Sequence, residues 1–130
     1  MYKFHSGTVS PGGNRILVFP SNLAARHTRS HSKVAVDRFG AGHALTAGFH
    51  GAAYAIPVKS EKLDILPIAD VAWGVAAFIA FAKNNVDLDF YVMRFADDCK
   101  PLTDSRCAPM FRGAPENCVF PDDWKSYLTQ

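Results

Sequence analysis

Residues 15–27, RILVFPSNLAARH, constrain the fold of this chain more than any other stretch. Ile16 to Phe19 is a short, unbroken apolar run that meets Pro20 and then opens into Ser21, Asn22, Leu23, Ala24, Ala25, Arg26 and His27. A strand buried on both faces reads as a continuous apolar run, and such strands belong to parallel sheets covered by helices. In open α/β sheets ligands bind beyond the carboxyl ends of the strands. Ser21 and Asn22 fall at that end, so a small-molecule site is expected there.

The rest of the composition sets bounds on this reading. A chain of 130 residues is one domain, long enough for a single core. An apolar fraction of 48% excludes intrinsic disorder. The charge balance of 14 basic against 12 acidic residues does not point to nucleic acid. The longest apolar stretch, 71–82, is too short to span a bilayer, so no membrane is expected. The opening MYKFHSGTVSPGG has no apolar h-region, so no secretory signal is expected either. Cys99, Cys107 and Cys118 are odd in number and form no CxxC or zinc spacing, which fits reduced thiols in a cytoplasm.

Along the chain, residues 1–14 read as an N-terminal extension or short edge strand, and 15–130 as a single α/β domain. Residues 15–19 are the first strand. Residues 30–39 read as a short helix capped by Ser30 and stopped by Gly40 and Gly42. Residues 42–51, rich in Gly and His, read as a loop. A second strand is expected over 52–56, closed by Pro57, with a polar link over 58–66. Residues 67–85 are the clearest helix: Pro67 suits its first position, Asp70 its first turn, and Ile68, Val71, Ala72, Val75, Phe78, Ile79 and Ala82 keep helical spacing. A third strand is expected over 89–95, a loop over 96–101, a short helix over 103–111 and a last strand over 116–120. Strands alternating with helices imply right-handed crossovers and a mostly parallel sheet. The expected architecture is a three-layer α/β/α domain whose loops 20–33, 42–52 and 95–103 converge at one sheet edge.

Several constellations bear on chemistry. Ser21 and Asn22 are hydrogen-bonding groups suited to a base or ribose, and also common turn residues. Arg26, His27, Arg29, His31 and Lys33 form a basic cluster at an expected helix N-terminus, a geometry that suits an anion or an acidic partner. The cluster lacks interleaved aromatics, which disfavours nucleic acid. His27, His31, His43 and His50, with Asp97, Asp98 and Cys99, match no metal motif, so neither metal nor cofactor is expected. Cys99 beside Asp97, Asp98 and Lys100 has no local His partner, and its aspartates oppose a reactive thiolate. Phe49, Tyr54 and Trp124 are candidates for base stacking, or core and rim residues.

The motifs ILVFPSNLAARH, GFHGAAYAIPVK and APMFRGAPENCVFPDDW, in that order around a long helix, resemble a family of small phage-associated non-structural proteins. That family reads IFVFGSNLxGRHGxGAA in the first segment and LxGxSYAIPT in the second. It is in turn similar to macrodomains, α/β/α modules that bind ADP-ribose and related nucleotides. The resemblance implies a nucleotide-type ligand, with Asn22 orienting the ribose or base, residues 25–33 and 95–101 as its phosphate loops, and Arg26 and Lys100 offsetting phosphate charge. The ligand set it suggests is Ser21, Asn22, Arg26, His27, Gly51, Tyr54 and Lys100. The chain departs from the pattern where the family's glycines become Pro20, Thr28 and Ser30, and where residues 95–101 hold no glycine. Glycine lets backbone amides approach a phosphate, and Asp97 and Asp98 repel one unless a metal or Lys100 intervenes.

Two readings follow. One is a macrodomain-like protein that binds an ADP-ribose-like or other nucleotide and sequesters a host-defence signal. The other is a phage anti-defence inhibitor, for example of the anti-CRISPR type, that binds a host protein through Arg26, Arg29, Lys33, Asp97 and Asp98 in altered cleft loops. Both place the protein in the host cytoplasm. Catalysis ranks third, because no complete set of acid, base and nucleophile assembles from the sequence.

Overall fold

A computed structural model describes residues 2–28 and 30–129, so Arg29 of the basic cluster lies outside the described residues. The elements run β1 (Lys3–His5), β2 (Arg15–Asn22), α1 (Ser30–Arg38), β3 (Gly48–His50), β4 (Ala53–Lys59), α2 (Ile68–Lys83), β5 (Asp89–Val92), α3 (Asp104–Cys107), β6 (Cys118–Pro121) and α4 (Lys125–Leu128). The strands form one sheet in the order β1-β6-β5-β2-β4-β3. Every neighbouring pair is parallel except β3 with β4 at the edge.

The apolar run of β2 is unbroken because its residues alternate between two buried faces. Ile16 and Val18 join one core cluster with Val71, Val75, Phe78 and Ala82 of α2. Leu17 and Phe19 join the other with Ala35 of α1 and Phe39 just beyond it. The α2 face is the larger. There Phe95, Phe111, Phe120 and Trp124 pack ring against ring, with centroids 5.1 to 6.1 Å apart.

Two prolines expected to end strands instead lie inside them. A parallel strand bonds alternate residues to alternate neighbours. The Leu17 N–H donates to Ala52 of the β4 side, while the Val18 carbonyl accepts from Met93 on the β5 side. Pro20 therefore shares the side of Val18, where pairing with β5 has already stopped at Val18. Pro57 likewise faces the β3 side, where pairing stops at Ala55. Neither ring removes a ladder bond, so β2 extends to Asn22 and β4 to Lys59.

Other boundaries also differ. Part of the expected loop 42–51 is β3, which pairs Gly48 with Ala55 and His50 with Ala53. The link over 58–66 is tied back to β4, with Leu66 N–H donating to Val58 and Ile65 bridging Lys59. The strand expected over 89–95 stops at Val92, and a 3-10 turn occupies Phe95–Asp97. The helix expected over 103–111 is split into α3 and a 3-10 turn at Ala108–Phe111, because Pro109 has no N–H to continue the α-helical ladder.

Candidate functional site

The sheet order creates one crevice. From β2 the chain leaves through α1 toward β3 and β4; from β4 it returns through α2 to β5, on the opposite side of β2, and goes on to β6. Connections therefore diverge at the carboxyl ends of β2 and β5, the topological switch point at which α/β sheets hold ligands. A cleft of about 290 Å³ lies beside it, beyond the carboxyl ends of β2 and β4. Pro20, Ser21 and Asn22 come from the end of β2, Arg26 and Thr28 from the following loop, and Ser32 from α1. Val58 and Lys59 come from the end of β4, Leu63 from the link beyond it, and Asp98 from the segment after β5.

Local geometry explains each polar wall. Ser21 is 3% exposed, and its hydroxyl donates to the Thr46 carbonyl at 2.5 Å, fastening the 41–47 loop to the end of β2. Both ends of the Asn22 amide are used internally: Oδ1 accepts the Arg26 N–H at 2.9 Å and Nδ2 donates to the Arg26 carbonyl at 2.8 Å. This clamp closes a turn in which Ala25 takes φ of 56°. Asn22 thus clamps the turn that presents Arg26, using one of the two N–H groups of Nδ2 and one lone pair of Oδ1.

Asp98 is the most informative group. Its carboxylate accepts from the Ser30 hydroxyl and the His31 N–H, so it sits on the amino end of α1. That is where a helix in a nucleotide-binding fold offers amides to a phosphate, and here the protein fills the position with its own anion. Burial pushes the Asp98 carboxyl above its usual range, against the opposing effect of Ser30 and His31. Its Oδ2 is buried without a donor among the described residues. Arg26 and Lys59 supply the cations of the cleft, and no carboxylate lies within ion-pair distance of either among the described residues.

Beside the cleft runs a separate charged chain. His31 Nε2 meets Asp97 at 2.9 Å, and Arg94 lies 3.5 Å from Asp97. Arg94 also forks onto Asp104 at 2.7 and 2.9 Å, and the Trp124 indole N–H donates to the same carboxylate at 3.0 Å. Lys33 is spent on Asp37, one helical turn along α1. Asp97 and Lys33 therefore brace their own surroundings.

The remaining candidates lie elsewhere. His27 packs edge-on against Phe19 and its Nε2 donates to Leu45 at 2.8 Å, outside the cleft lining. Tyr54 is buried among Phe78 and Phe81, because the third residue of an alternating AAYAIPVK strand faces α2. Trp124 is fully buried and Phe49 packs on Phe81, so neither reaches the cleft. Gly51 precedes β4 at the opposite end of the sheet, where its Cα packs against the Gly40 backbone. Lys100 is exposed and outside the lining. Cys99, Cys107 and Cys118 are buried, and burial pushes the last two thiols up to about 12. Among the described residues no three His, Cys, Asp or Glu side chains converge as metal ligands do.

Lys59 is the principal residue that sequence reasoning missed. Its signal was present: it closes the run AAYAIPVK at the same sheet edge as Asn22, once both strands are parallel and Pro57 is allowed inside. Compared with known proteins, the chain matches no family model, no curated protein and no solved structure.

Proposed function

We propose that this protein is a macrodomain-like, three-layer α/β/α module that reversibly binds a small nucleotide-type ligand in the cleft beyond β2 and β4. The observation that carries the reading is the placing of Arg26 and Lys59 with the donor-less buried oxygen of Asp98 around one crevice beside the switch point. A ligand that fits must bring an anionic group for the two cations and a hydroxyl or amino donor for the carboxylate. A phosphorylated ribose carries both, and an acidic side chain in such sheets commonly accepts from ribose hydroxyls. Val58 and Leu63 supply the apolar wall that a base or sugar face needs.

The position of Asp98 refines the resemblance to ADP-ribose-binding modules. A pyrophosphate does not belong at the amino end of α1, so the phosphate goes to the Arg26–Lys59 side. At about 290 Å³ the cleft suits a mononucleotide or the ribose-phosphate end of a larger molecule better than an entire dinucleotide. The activity proposed is binding and sequestration, for which a host-defence signal nucleotide is a fitting ligand. The alternative of docking on a host protein draws less support, since Lys33 and Asp97 are held by their own neighbours.

The test is calorimetric and thermal-shift titration with AMP, ADP-ribose, cyclic ADP-ribose isomers, NAD and cyclic oligonucleotides. A ligand at 100 times its dissociation constant stabilises the fold by about 2.7 kcal/mol. Arg26→Ala and Asp98→Asn should each remove that shift. Asp98→Asn should leave the fold at least as stable at neutral pH. A carboxyl whose folded pKa is raised contributes stability below about 3.8 that is lost as pH rises through the folded value. No shift with any nucleotide, or a shift that survives both substitutions, overturns the reading.

A further inference from the structure

Helix α2 carries an outer face that the sheet does not use. Its inner residues Val71, Val75, Phe78 and Ala82 are buried. On the outer side Ala69, Trp73, Ala76, Ala77 and Ala80 are all exposed, and Trp73 is 76% exposed. A solvated helix face is ordinarily polar, but here the stripe carries charge only at its two ends, Asp70 and Lys83.

The pattern is symmetric along the helix. Asp70 and Lys83, Trp73 and Ala80, and Ala76 and Ala77 are three pairs centred on the same point, midway between Ala76 and Ala77. We propose that two copies of this chain pair through α2, antiparallel and about a two-fold axis at that midpoint. An isologous contact sets each residue of a pair against its mate on the other copy. Asp70 then faces the Lys83 position of the second copy at both ends. Each Trp73 ring lies over Ala80, whose small side chain leaves it room. Ala76 meets Ala77 at the crossing, where small residues let helix axes approach to about 8 Å.

Charge complementarity is what selects a second copy as occupant. A parallel pairing sets Asp70 against Asp70 and Lys83 against Lys83, which is repulsive at both ends. A lipid surface is disfavoured because interfacial helices are rich in basic residues, whereas the whole of α2 holds one, Lys83. The ligand cleft lies at the carboxyl edge of the sheet and involves no residue of α2, so this pairing stands independently of the proposed function.

Sedimentation velocity of the full chain across the micromolar range tests the proposal. The expected result is a monomer–dimer equilibrium, accompanied by a concentration-dependent blue shift of tryptophan emission from Trp73, since Trp124 is already buried. Ala77→Glu should weaken the dimer at least tenfold while leaving the thermal midpoint of the diluted monomer within a few degrees. Asp70→Lys and Lys83→Asp should each weaken it, and the double swap should restore it. Both native charges also favour the dipole of their own helix, so the double swap suits the isolated helix least, and restoration reports the contact between copies. A monomer at every concentration, a dimer indifferent to Ala77→Glu, or a double swap that fails to restore pairing overturns the proposal. So does a monomer that instead co-floats with phospholipid vesicles.

Discussion

At the scale of single residues, two glycines, one opening β3 and one just after it, show how differently one residue type can matter. Gly48 takes φ of 89° with open space where a Cβ would go. Gly51 takes φ of 61°, and a Cβ there would stand 2.3 Å from the Gly40 carbonyl oxygen. Gly48→Ala is expected to destabilise by about 1 kcal/mol, the usual penalty for an alanine forced to positive φ. Gly51→Ala adds a backbone clash that side-chain rotation cannot relieve, so a loss of about 3 kcal/mol is expected. Urea unfolding of the two variants checks the ranking, and equal losses would contradict it. Gly51 entered the ligand set through the resemblance; only the approach of the Gly40 backbone shows why glycine is needed. Asn22 carries a similar lesson. Asparagine at a strand end reads equally as ligand contact or turn clamp, and its two bonds to Arg26 make it a clamp whatever else it touches.

At the scale of elements, the carboxyl-terminal third is organised by side chains that join elements rather than by long helices. The two N–H groups of Asn117 Nδ2 are shared among the carbonyls of Ala82, Asn85 and Leu88, tying the end of α2 to the start of β6. Asp104, at the start of α3, accepts from Arg94 after β5 and from Trp124 before α4. Asp104→Ala is expected to destabilise by about 2 kcal/mol, mainly by leaving the Trp124 indole N–H without an acceptor in the core. The guanidinium, a third exposed, recovers water and adds little. Trp124→Phe removes the donor, so in that background Asp104→Ala should cost less, and a double-mutant cycle measures the difference. None of these links has a periodic signature. The long elements do, which is why the position of α2 was legible within a residue or two while α3 and α4, four residues each, were not.

At the scale of the whole molecule, acid stability follows from two groups with the same sign. Burial holds His5 below its ordinary 6.5, and its neutral ring donates from Nε2 to Val92 at 2.7 Å while Nδ1 accepts from Gly7. A base with a depressed folded pKa contributes stability that is complete above about 6.5 and is lost as pH falls through the folded value. Arg94 holds Asp104 below 3.8, so its contribution is complete above about 3.8 and is lost as pH falls through the folded value. Stability should therefore decline in two stages, and His5→Gln should abolish the first alone; urea titrations across the acid range would show an unchanged first stage if this assignment were wrong. By itself the sequence determined the α/β class, the central strand β2 and the helix α2, because hydrophobic periodicity is a local property of consecutive residues. It also pointed to the β2 end as a cleft, because parallel strands leave their carboxyl ends open. Tertiary structure alone decided which charges meet there. Lys59 joins Arg26 because β4 runs beside β2 past Pro57, and Asp98 reaches the amino end of α1 because β5 lies on the other flank of β2. Those are contacts between distant segments, set by strand order, and strand order leaves no trace in local patterning.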